Sequence, residues 1–236
     1  MPISRVKAGE GYFYFGMSLL IAVVVVYGFS HTVERKLFHP VVARPFLLYI
    51  HVAIFSGWVI YFILQSALIR KRNVRLHRRL GWFGAGLGAA IPGLGIATAI
   101  TMARFRVSNF HVTHVESDLI AQFFDMIAFT IPFALAIHWR KKPEFHRRLI
   151  LIASCALTSA AFGRFPTHFL PALFAYLGVD ALILLGVARD VLLNRRVHPV
   201  YVYGFPSLVL GQTLVVYAGT HDWRYLSQIT RTILFG

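Results

Sequence analysis

A chain of 236 residues that is 57% hydrophobic, only 14% charged and +0.64 in mean hydropathy lies outside the soluble globular class, where the apolar fraction is lower and the charge higher. Its formal charge of +15, dispersed over connecting segments, suits anionic lipid headgroups and argues against a nucleic-acid partner. Long unbroken apolar runs, without dyad alternation, exclude a β-barrel and leave an all-α, polytopic membrane helix bundle.

Seven runs are long enough to be read as spans: Tyr12–Phe29, Phe46–Ile69, Leu80–Ala103, Leu119–Trp139, Leu149–Phe165, Phe169–Val187 and Val200–Gly219. No linker between them is large enough to separate domains, so residues 1–236 are expected to form one membrane-embedded helical unit. The first run is followed by Gly28-Phe29-Ser30-His31 and then Glu34-Arg35-Lys36, with no small-residue cleavage site, so it reads as a span and not a signal peptide. With seven spans, the amino-terminal face carries 16 of the 24 Lys and Arg residues. That bias predicts a cytoplasmic amino terminus and an outside carboxyl terminus. The lone Cys155 lies mid-span with no disulfide partner and no C-x-x-C spacing, and reads as a small packing residue.

Polar groups at membrane depth are costly and mark function or helix contact. In the second run His51, Trp58 and Gln65 recur every seven residues and fall on one helical stripe, either an inter-helix seam or a cofactor wall. In the fourth, His111, His114, Asp118, Gln122 and Asp125 would form one polar face if the helix began near Phe110. Arg164 is the expected partner of the buried Asp125, and Tyr176 the nearest hydrogen-bond donor to Asp180. The third run is rich in glycine, which allows a backbone or a flat macrocycle to approach closely.

Four histidines, His51, His77, His114 and His146, fall near alternate ends of successive runs, which puts His51 and His114 near one face and His77 and His146 near the other. A low-spin heme b needs two imidazoles from two helices at one depth. Arginines follow both inner histidines, in His77-Arg78-Arg79-Leu80 and His146-Arg147-Arg148-Leu149, and suit heme propionates or lipid phosphates.

Across roughly residues 46–165 this arrangement resembles the cytochrome b561 family of transmembrane electron-transfer proteins. The resemblance implies a His51–His114 pair on an outer heme and a His77–His146 pair on an inner one. From the residues themselves, Arg78, Arg147, Trp58 and Gln65 read as further cofactor-binding groups, with His111 an alternative ligand to His114 and His138 to His146. That family's bundle has six helices where this chain shows seven runs, and His77 stands in a charged stretch that reads as loop. The segment His77-Arg-Arg-Leu-Gly81 also looks like an H-R-x-L-G element of uncharacterised bacterial multi-pass membrane proteins, a resemblance that implies a bacterial inner-membrane location.

The leading expectation is electron transfer through b-type heme, with quinone or another redox protein as partner. A second is an outer-face metal site, in which His51, His111, His114 and Asp118 bind zinc, iron or copper. The outer set also includes His31, His39, His168, His221, Glu116 and Asp222. A third is a transporter or a structural subunit, in which Asp125 and Asp180 relay protons or join helices.

Overall fold

The computed structural model describes the backbone of residues 8–112, 115–166 and 174–221, together with 228 and 232. The first four apolar runs and the seventh each form one helix. α1 spans Ala8–Val33 and passes into a π-helical turn at Glu34–Phe38, α2 spans Phe46–Arg70, α3 Val74–Phe110 and α4 Glu116–His138. The fifth run is divided into α5, Pro143–Ala156, and the single turn α6, Ser159–Phe162; α7 spans Ala175–Asn194 and α8 Pro199–Thr220. No strand occurs among the described residues.

Five of these helices are long and apolar enough to cross a membrane: α1 with its π-helical extension, α2, α3, α4 and α8. Large apolar side chains such as Ile60, Leu210 and Leu214 point outward from the bundle, which suits hydrocarbon and not water. The protein is an integral membrane protein.

α5 is the hub. It packs against α1, α4, α7 and α8, while α3 lies between α2 and α4. From Arg148 onward every α5 residue except Ile150 is buried. Without a hydrophobic drive between helices in lipid, close packing over small residues does the holding. The glycines of α3 serve that purpose: Gly84 lies under Tyr61 of α2, and Gly88 and Gly95 lie under Phe133 and Met126 of α4. Gly28 of α1 runs directly against the Ala161 backbone of α6.

Several local expectations are corrected. α3 begins at Val74, because Asn73 caps it by accepting the Leu76 N–H at 3.1 Å; His77 is therefore helical, not in a loop. At its other end α3 continues to Phe110, and His111 closes it in a left-handed conformation with φ 49°. α4 begins only at Glu116, so His111 is not on the helix face with Asp118, Gln122 and Asp125. His114, also assigned to that face, lies outside the described residues, as do His168 and Asp222. Gln122 is exposed on the bundle surface, and Asp118 pairs with Arg106 of α3.

Asp125 does not meet Arg164. Its carboxylate accepts the Ser159 hydroxyl at 2.6 Å and the Tyr176 hydroxyl at 3.2 Å, so two neutral donors from α6 and α7 stand where a cation was expected. Arg164 instead donates to the Ala160 carbonyl and lies over the Phe29 ring at 4.4 Å. With Tyr176 taken by Asp125, Asp180 keeps a buried Oδ1 that has no hydrogen-bond partner among the described residues.

Candidate functional site

At the arginine-rich end of the bundle, α2, α3, α4, α5 and the α7–α8 turn enclose a cavity of about 1480 Å³. That is larger than the ~300–1,000 Å³ typical of small-molecule sites. His77, His146, Arg78, Arg147, Trp58 and Gln65 all line it.

The two histidines are brought there by helix starts. His77 stands in the first turn of α3, where its N–H donates to the Asn73 carbonyl at 3.1 Å. His146 stands in the first turn of α5, which Pro143 initiates. Their rings lie 6.4 Å apart, centroid to centroid, with planes at 74°. His146 Nδ1 is 2.9 Å from the Ala136 carbonyl. A carbonyl only accepts, so Nδ1 carries the proton and Nε2 keeps its lone pair, the tautomer of a typical metal-bound imidazole. His77 Nδ1 is buried without a hydrogen-bond partner among the described residues.

Two imidazoles sharing one metal from opposite sides, each nitrogen about 2 Å from it, bring their centroids to roughly 6 Å. The inner histidine pair fits that spacing, and the cavity walls suit a large flat apolar group with anionic edges. Trp58 is buried against Phe129 and Phe133, edge to face at 5.3 and 5.7 Å, and its Nε1–H donates to Ser154 of α5 at 3.3 Å. Gln65 is oriented by Tyr61: the Tyr61 hydroxyl donates to the Leu80 carbonyl at 2.9 Å and so accepts from Gln65 Nε2. Gly81, one turn beyond His77, has open space where a side chain would stand.

Beneath one wall lies a buried charge network. Arg148, 1% exposed, forms a fork with Asp190 of α7, also 1% exposed, at 2.7 Å from Nε and 2.6 Å from Nη2. It also reaches Glu144 at 2.7 Å, while Arg147 takes the same Glu144 oxygen at 2.5 Å and Arg189 reaches Asp190 at 3.1 Å. Both carboxylates lining the cavity are thereby committed to arginines. His198, in the α7–α8 turn, caps α8 by accepting the Val200 N–H at 3.2 Å and meets Phe145 edge to face at 4.7 Å. Burial, reinforced by the nearby Arg148 cation, holds its pKa below the usual histidine value.

Reading the residues alone missed Tyr61, Ser154, Glu144, Asp190 and His198. One signal was present: the inner-face segments hold only three acids, Glu10, Glu144 and Asp190, among 16 cations. Acids so outnumbered are the natural anchors of an arginine network.

The other expected sites are not assembled in this way. His51 stacks on its own neighbour Phe55 at 3.9 Å, and its Nδ1 has no hydrogen-bond partner among the described residues. Its expected partner His114 is not among those residues. No group of three or more His, Cys, Asp or Glu that could hold a metal occurs among the described residues. His39 pairs with Glu34, and His31 and His221 bond to carbonyls of their own helix.

No family model, curated protein or solved structure matches this chain.

Proposed function

We propose that the protein binds a b-type heme between His77 and His146 and transfers electrons at the arginine-rich face of the membrane. The observation that carries this reading is the 6.4 Å separation of the two imidazoles on a cavity lined by aromatic and cationic side chains. A heme supplies a one-electron couple whose potential depends on its axial ligands, hydrogen bonding and burial.

The protein's own residues would do the rest. The Ala136 carbonyl fixes the His146 tautomer and ring orientation, leaving Nε2 to act as ligand. Trp58 and Phe133 keep water from the ligand side, and the Trp58–Ser154 bond ties that wall to the central helix. Arg78 and Arg147, each next to a ligand histidine, would hold the propionates at the polar edge. By the positive-inside rule this end is cytoplasmic, in an inner membrane of bacterial type, with a quinone or a redox protein as exchange partner.

The test is a dithionite-reduced minus oxidised absorption spectrum of detergent-purified protein, with iron and zinc quantified on the same sample. A b-type α-band that disappears in both His77→Ala and His146→Ala supports the reading. Folded protein expressed with ample heme and showing no such band overturns it.

A further inference from the structure

We propose that the cavity mouth also binds an anionic group, phosphate or carboxylate, through Arg140, Lys141 and Arg196. These three cations come from two turns: Arg140 and Lys141 join α4 to α5, and Arg196 joins α7 to α8. All three line the cavity. The edge-to-face contact of Phe145 with His198 brings the two turns together.

The acids that would otherwise satisfy these cations are already engaged. Glu144 takes Arg147 and Arg148, and Asp190 takes Arg148 and Arg189. Among the described residues, no carboxylate stands within salt-bridge distance of Arg140, Lys141 or Arg196. Arg140 is held in place by the Ile137 carbonyl at 3.3 Å and by the Trp82 ring at 5.6 Å, which leaves its charge unneutralised. Like charges gathered at an opening with low-dielectric walls focus their field and raise the local concentration of anions.

This surplus goes beyond the heme reading. Propionates held by Arg78 and Arg147 would leave Arg140, Lys141 and Arg196 still without a counter-ion. The apolar residues beside them, Ile137, Val197 and Pro199, give an amphiphile a place for its chain. The same cations would hold the phosphate of a lipid headgroup or of a small soluble anion.

The experiment measures thermal unfolding of the full-length protein in an uncharged detergent, titrated separately with inorganic phosphate, short-chain phosphatidylglycerol and short-chain phosphatidylcholine. Lys141→Gln/Arg196→Gln is the test variant, and Arg35→Gln, at the opposite end of the bundle, is the control. The expected result is a saturable rise in midpoint with an anionic probe, weakened about fivefold per cation removed and unchanged in the control. A response to phosphatidylglycerol alone assigns the site to a lipid headgroup; a response to phosphate as well assigns it to a soluble anion. No response to either anion, an equal response to phosphatidylcholine, or an undiminished response in the double variant overturns the proposal. Heme content read on the same samples keeps this outcome separate from that of the heme reading.

Discussion

His77 and His146, separated by 69 positions in the chain, place their rings 6.4 Å apart because each stands in the first turn of its helix at the same end of the bundle. If they act as a pair, removing either should empty the same site. His77→Ala and His146→Ala should each abolish the whole inner heme band, and the double variant should do no more. A half-strength band in either single variant would contradict shared ligation.

Arg148 and Asp190 form a forked ion pair that is almost fully buried. Breaking one side strands a charge in a low-dielectric interior, at a cost of about 3–5 kcal/mol. Arg148→Met should therefore lower the unfolding midpoint sharply. Arg148→Met/Asp190→Leu should recover part of the loss, since an apolar pair of similar volume removes both charges of the fork, while Arg189 loses its contact with Asp190. A double variant as unstable as the sum of its singles would show that the pair does not work as a unit.

Gly28 meets the Ala161 backbone, which cannot swing aside as a side chain does. Gly28→Ala should force α1 away from α6 and destabilise by about 1–3 kcal/mol. Gly16→Ala, at a position with open space around the added carbon, should be neutral or slightly stabilising through helix propensity. Comparable unfolding midpoints for the two variants would refute the close α1–α6 approach.

His198 gives a pH dependence. Its folded pKa lies below the ordinary 6.5, so between the two values the unfolded chain binds more protons than the folded one. Its contribution is fully present above pH 6.5 and is lost as pH falls towards the folded value. His198→Asn keeps an acceptor for the Val200 N–H and removes the titration. The variant should flatten the acid limb of a stability–pH curve below 6.5, and an unchanged limb would show that another group sets it.

The helical membrane class was legible because twenty apolar residues in a row admit few structures. The inner pair was legible too, since alternate runs end on alternate faces and His77 and His146 end on the same one. Helix limits were less so: Asn73 as a cap and His111 as a left-handed stop extend α3 well past its apolar run at both ends. Partners of buried polar groups were the least legible. Asp125 reads as needing a cation, yet a serine and a tyrosine satisfy it, because a neutral hydroxyl leaves no periodic signal. The Arg148–Asp190 pair spans 42 positions, and helical spacing within one segment says nothing about a contact of that range.

The shortness of α5 bears on how this protein is made. Fourteen residues rise about 21 Å, less than the ~30 Å hydrocarbon core, and the helix carries Arg148 near its start. Neither α5 nor α7 is among the helices long and apolar enough to cross alone. Synthesis delivers α5 before α7, so Arg148 reaches the membrane with Glu144 of its own helix beside it but before its buried partner Asp190 exists. The central helix would therefore be the last to settle. Chains truncated after α6 should insert their first four helices stably while leaving Pro143–Ala156 open to protease, and translation through Asp190 should close that window.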